Sequence, residues 1–137
     1  MKKVYDAELI KYMALFEKIG NVNIKDIFQY NGMLCCVVDK ENVSKLVGPQ
    51  GIRIKKIQDM IKKKVKVVGY SSGIKEFVKD FIYPIEIIDI EENNGELIIS
   101  CEDNKTKGLL IGRGRQGLTN LHNVVSRYFK INNIKVK

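Results

Sequence analysis

Apolar residues recur along this chain at helical and then at strand spacing, and the same succession comes round twice. Residues 6–19 read as a helix, with Leu9, Met13 and Phe16 at i, i+4 and i+7, Asp6 at the N-cap position and Gly20 as the stop. Two strands follow, Val22 to Tyr30 and Met33 to Val38, on either side of Asn31-Gly32. Asn-Gly between two apolar runs signals a hairpin, because both central residues tolerate positive φ. A short helix over 41–47 then runs into Gly48-Pro49-Gln50-Gly51. Beyond that turn Ile54, Ile57 and Ile61 share one helical face, and Val65, Val67 and Val68 make a β-branched strand.

The second pass starts near Ser71-Ser72-Gly73. Ile74, Phe77, Val78, Phe81 and Ile82 form an amphipathic helix that Pro84 ends. Ile85 to Ile90, Asn94-Gly95 and Leu97 to Cys101 repeat the hairpin, and Lys105 to Ile111 the short helix. A glycine-rich turn follows at Gly112; Leu118, Leu121 and Val125 mark the next helix, and Ile131 to Val136 the closing strand. The step from Gly32 to Gly95 between the two Asn-Gly turns is within one residue of the step from Gly48 to Gly112. An α-β-β-α-α-β order repeated at a constant offset divides the chain into units 1–71 and 72–137. At about 65 residues each, they are small for independent domains.

Charge is banded. From Lys45 to Lys66 eight basic residues stand against the single Asp59, and residues 104–137 carry eight basic residues and no acid. Between them, from Glu76 to Asp103, nine acids face only Lys79. Two basic bands with an acidic one between them suit a polyanion-binding face assembled from two places in the chain.

The turns carry the candidate chemistry. They read Val47-Gly48-Pro49-Gln50-Gly51-x-x-Ile54 and Ile111-Gly112-Arg113-Gly114-Arg115-x-x-Leu118, with Gln116 opening the second helix. A turn poor in bulky side chains lets a sugar-phosphate backbone come close, and the next helix aims its free N–H groups at the anion. Arg53, Lys55 and Lys56 add charge around the first turn, Arg113 and Arg115 around the second. Pro49 has no N–H to give and stiffens its turn.

Arg115 stands where the first turn has Gly51, and Gly114-Arg115-Gln116-Gly117 offers a second register. Starting from Gly112 aligns Leu118, Leu121 and Val125 with Ile54, Ile57 and Ile61, so that register is preferred. The same stretch spells G-x-G-x-x-G, but no acid follows Asp103 to hold a ribose, and neither turn has a Walker ending.

Other chemistries find little support. Cys35, Cys36 and Cys101 form no C-x-x-C pair and read as reduced core thiols; His122 is the only histidine, and no metal site or cofactor is expected. No catalytic constellation is apparent, so the protein is not read as an enzyme. No run of about 18 apolar residues is present, and Met1-Lys2-Lys3-Val4 leads into no apolar signal segment, so a cytoplasmic protein with no membrane partner is expected. Tyr70, Tyr83 and Tyr128 are read as packing residues.

The pattern [V/I]-G-x-x-G-x-x-[I/L] between two helices, within α-β-β-α-α-β, resembles a type II KH domain. Two such units and little else are similar to the archaeal NusA-like transcription termination and elongation factors. The resemblance implies an α+β fold of two tandem KH domains, each a three-stranded sheet packed on helices. It also implies binding of single-stranded nascent RNA, about four nucleotides per unit, by a monomer that works with RNA polymerase in transcription. Its site residues would be Gly48, Pro49, Gln50, Gly51, Arg53, Lys55, Lys56, Gly112, Arg113, Gly114, Arg115 and Gln116. The alternatives are a KH protein of ribosome assembly or RNA processing, and a protein-interaction module that uses the acidic 76–103 segment.

Overall fold

A computed structural model describes residues 5–137, which divide into two compact units, one ending at Ser71 and the other running from Ser72 to Lys137. Both are α+β. In the first unit, helix α1 (Ala7–Gly20) starts at Asp6, whose carboxylate accepts the Leu9 N–H at 2.8 Å. Such a cap is worth about 1 kcal/mol. Strands β1 (Asp26–Tyr30) and β2 (Met33–Asp39) pair antiparallel with Tyr30 opposite Met33, and Asn31 and Gly32 take φ of 50° and 76° as the tight turn requires.

A 3₁₀ turn (Lys40–Asn42) leads into α2 (Val43–Val47), and the Gly48 turn into α3 (Ile52–Ile61). Strand β3 (Val65–Tyr70) then lies parallel to β2, giving the order β1-β2-β3. Phe16, Ile27, Leu34, Cys36, Val38, Leu46 and Ile57 are buried in one core, with Leu9, Met13, Ile54 and Ile61 packed against it. The helical and strand stripes of the sequence therefore meet.

The second unit repeats the order: α4 (Ile74–Ile82), β4 (Asp89–Asn93), β5 (Glu96–Ser100), α5 (Asn104–Ile111), α6 (Gln116–Ser126) and β6 (Asn133–Val136). Asn94 and Gly95 turn at φ of 51° and 83°; β6 runs parallel to β5, and the order is β4-β5-β6. Phe77, Val78, Phe81, Leu97, Ile99, Leu121 and Val125 are buried. The Phe77 ring meets Tyr128 edge-on at 5.1 Å.

Three expectations are corrected. The strands expected from Val22 and Ile85 begin only at Asp26 and Asp89. Alternation marks which side chains are buried, not which amides enter a ladder: Val22 and Ile24 are buried, yet the Ile24 N–H goes to the Glu17 carboxylate at 3.1 Å. The last strand likewise starts at Asn133 rather than Ile131. Gly20 is the final helical residue, not the stop; Asn21 makes the left-handed cap at φ 52°. A Cβ on Gly20 would come within 2.7 Å of the Leu46 side chain, so packing explains this glycine.

Candidate nucleic-acid interface

The two glycine-rich turns have one backbone shape. Gly48 (φ 79°, ψ 169°) matches Gly112 (73°, 173°), Gln50 (54°, 25°) matches Gly114 (59°, 28°), and Gly51 (74°, 19°) matches Arg115 (64°, 16°). Each closes through the same bond: the Gly51 N–H donates to the Gly48 carbonyl at 3.1 Å, the Arg115 N–H to the Gly112 carbonyl at 3.3 Å. The internal repeat therefore holds at the level of individual dihedrals, with Gly112 as the first position of the second turn.

Glycine serves three different purposes here. A Cβ on Gly48 would meet the Arg53 backbone nitrogen at 3.0 Å, and one on Gly112 the Gly117 nitrogen at 2.7 Å, so each turn folds tightly under its next helix. At Gly51 and Gly114 the space is open, and positive φ is the requirement. Gly117 lies in regular helix, but its Cβ would stand 2.6 Å from the Leu110 carbonyl oxygen; it lets α5 and α6 approach. The second possible G-x-x-G therefore contains a packing glycine.

Neither α3 nor α6 has a side chain capping its first turn. The expectation of free leading amides is corrected at the first position of each helix, where the 3₁₀ bend takes the bond: the Ile52 N–H donates to the Pro49 carbonyl and the Gln116 N–H to the Arg113 carbonyl. The positive end of each helix dipole still lies behind the bend.

The basic residues are distributed differently in the two units. Arg53, Lys55 and Lys56 of the first are on α3, and their counterparts in the second unit are Gly117, Thr119 and Asn120. Conversely, Arg113 and Arg115 in the second turn replace Pro49 and Gly51. Helical spacing puts Arg53 and Lys56 on one side of α3 and Lys55 on the other flank of its apolar stripe, so the three do not converge. Arg53 also donates from Nη1 to the Lys45 carbonyl at 2.6 Å, which binds α3 to the end of α2. Gln116 donates to the Asn120 side chain at 2.8 Å along its own helix.

Beside the second turn Arg115, which precedes α6, and Leu118, Thr119 and His122 on one face of α6 join Asn133 and Ile134 of β6 around a cleft of about 240 Å³. The periodicity of α6 is the sequence signal that could have located it. His122 Nε2 donates to the Asn132 carbonyl at 3.1 Å, pinning α6 to the start of β6. Gln58 does the same work in the first unit, where its Oε1 accepts the Val65 N–H at 2.9 Å.

No protein-family model matches the chain. Curated relatives do. Proteins named probable transcription termination protein NusA are 24% identical in Methanococcus vannielii, over 99% of this chain and 80% of that protein, and 23% identical in Thermoplasma acidophilum, over 96% and 94%. The protein of that name in Methanocaldococcus jannaschii is 26% identical over 94% of this chain and 72% of its own. The chain is similar to archaeal NusA over nearly its full length. The crystal structure of APE1850 matches with a TM-score of 0.72 at 24% identity, covering 97% of this chain and 100% of that one; this likeness shows the fold.

Most of the remaining candidate groups of this NusA-like chain pack within the fold. Cys35 and Cys36 are buried, and desolvation pushes the Cys35 thiol up to about 12 and the Cys36 thiol higher. Cys101 is half-buried and is also raised by burial. Tyr70 packs under the Lys25 ammonium, 4.3 Å from its ring centre, whereas Tyr83, expected to pack, is exposed. Asp26, which the sequence did not single out, is fully buried and accepts from the Tyr5 hydroxyl at 2.6 Å and its neighbour's N–H at 2.8 Å. Among the described residues no helix is long and apolar enough to cross a membrane, and no cluster of His, Cys, Asp or Glu is placed to hold a metal ion.

Proposed function

We propose that the protein is a non-enzymatic, NusA-like transcription termination and elongation factor that holds single-stranded nascent RNA through two type II KH units, residues 1–71 and 72–137. The site would comprise Gly48, Pro49, Gln50, Gly51, Arg53, Lys55 and Lys56 in the first unit and Gly112, Arg113, Gly114, Arg115 and Gln116 in the second. A monomer working in the cytoplasm beside RNA polymerase fits this reading.

The observation that carries it is the shared turn geometry. A four-residue bend with positive φ at its first, third and fourth positions, kept even where the fourth falls on an arginine, is costly for the chain unless the bend itself is used. Behind both bends stands a helix N-terminus without a side-chain cap, whose dipole favours an anion at the bend. The relatives' names bear on the process rather than on the contact.

Filter binding with single-stranded RNA at several salt concentrations tests the proposal. Neutralising Z phosphates gives a log-log slope near −0.7Z, and Arg113 and Arg115 in the second turn, with the basic residues of α3 beside the first, make a salt-dependent affinity the expected result. A salt-independent response, or equal affinity after both turns are altered, would overturn it. Co-purification with RNA polymerase rather than with ribosomal particles separates transcription from ribosome assembly.

A further inference from the structure

The loop between α4 and β4 departs from its counterpart in the first unit. Lys25 and Ile88 hold one backbone position in the two units: the Lys25 N–H donates to Val37 and the Ile88 N–H to Ser100, both at 2.8 Å. The first unit places an exposed lysine there, its ammonium over Tyr70; the second places an isoleucine that is 64% exposed. At the helix exit the first unit has Gly20-Asn21, and the second has Tyr83, which is 72% exposed. Val22 and Ile24 are 8% exposed, while Ile85 and Ile87, their counterparts, are only half-buried. The stretch from Tyr83 to Ile88 therefore presents a largely apolar surface interrupted by Glu86.

Acids surround it. Asp89, Glu91 and Glu92 of β4 are exposed, as is Glu86, and β4 is an edge strand of its sheet. Acids on an edge strand are a common guard against strand pairing, but that guard gives no reason to expose a tyrosine and an isoleucine beside it. A contiguous apolar patch with a charged rim marks an interaction site. The sign of the rim selects the partner, because a phosphate polymer is repelled and a cationic one attracted.

We infer that Tyr83–Ile88 and the acidic edge of β4 form a protein-docking surface whose occupant is a polypeptide segment carrying lysine or arginine next to an apolar side chain. Tyr83 and Ile88 supply the dehydrated centre. Glu86, Asp89, Glu91 and Glu92 pair with the cations at its edge. The surface shares no residue with the glycine-rich turns, so it acts whether or not they hold RNA.

The test places the photocrosslinker benzoylphenylalanine at Tyr83 in the full-length chain, with the same group at Lys25 as control. Irradiation in the source cells is followed by mapping of the crosslinked peptide. The expected result is a protein crosslink at Tyr83, absent at Lys25, to a segment holding lysine or arginine beside an apolar residue. Ile88→Ser should weaken it by about tenfold, the scale of one central contact, with filter-binding affinity for RNA unchanged, and the pair Glu91→Lys and Glu92→Lys should weaken it likewise without lowering that affinity. A crosslink to RNA, to a neutral or acidic segment, to a second copy of this chain, or to no protein would overturn the inference. Loss of RNA affinity in these surface variants would do so too. Failure of the wild-type chain to bind RNA, with the Tyr83 crosslink intact, would instead remove the RNA reading alone.

Discussion

Gly51 and Arg115 share one left-handed backbone conformation, φ 74° and 64°, although only the first is free of a Cβ. The strain on a non-glycine residue there is about 1–2 kcal/mol, and the greater unfolded-state freedom of glycine offsets about 0.5–1 kcal/mol of what its removal would gain. Arg115→Gly is accordingly expected to leave stability unchanged or raise it by about 1 kcal/mol, while lowering RNA affinity and flattening the salt slope by about 0.7. Denaturant melts paired with salt titrations check this; a less stable variant that binds RNA normally would contradict it.

The two glycines of the first turn are expected to separate folding from binding. At Gly51 the nearest atom to an added Cβ is 3.8 Å away, and aspartate tolerates positive φ, so Gly51→Asp should cost only about 1 kcal/mol of stability. It puts a carboxylate at the N-terminus of α3, where a phosphate would sit, and should reduce RNA affinity at least about tenfold. Gly48→Ala meets Arg53 backbone at 3.0 Å as well as positive φ, and should lose about 2 kcal/mol or more. Thermal denaturation beside filter binding distinguishes the pair.

In the second turn, Gly117→Ala drives a methyl to within 2.6 Å of the Leu110 carbonyl and is expected to cost about 1–3 kcal/mol by forcing α5 from α6. Gly114→Ala faces open space and should cost about 1 kcal/mol through its φ of 59° alone. Reversal of that order in urea melts would mean that Gly117, not Gly114, belongs to the bend.

The buried thiols set an alkaline limit on stability. Burial raises Cys35 from 9.0 to about 12 and Cys36 further, so both are neutral in the fold and ionise more readily once unfolded. Their contribution is fully present below pH 9 and is lost as pH climbs from 9 towards 12, by up to about 1.4 kcal/mol per unit per thiol. Urea midpoints at pH 8 and pH 10.5 should fall accordingly, and Cys35→Ala with Cys36→Ala should remove much of that fall. Native alkylation at pH 8 should reach the half-buried Cys101 well before the other two.

Features with a local cause are legible in the sequence. Asn31-Gly32 and Asn94-Gly95 dictate positive φ and hence hairpins, Asp6 caps the helix it precedes, and the apolar stripe of α6 sets the register of the second turn. Features that depend on what lies across the fold are not. Gly20 answers to Leu46 and Gly117 to Leu110, while Asp26 finds Tyr5 from the far side of α1 in the chain. The first strand starts later than its pattern suggests because a side chain, Glu17, competes for a backbone amide that the pattern assigns to the sheet. Tyr83 reads as core because a tyrosine beside apolar neighbours usually packs, and only the fold shows it facing solvent.

Position 53 and position 117 hold corresponding places behind the two bends, yet an arginine bonded to the Lys45 carbonyl fills one and a bare glycine the other. A transplant of the four-residue bend from one half into the other would bring the right curvature against the wrong support, since one pair of helices must leave room for a long side chain and the other has closed over that room. What can be exchanged between the halves is the entire helix-bend-helix piece. Any engineered chimera, and any drift between the copies, is confined to moving it as a block.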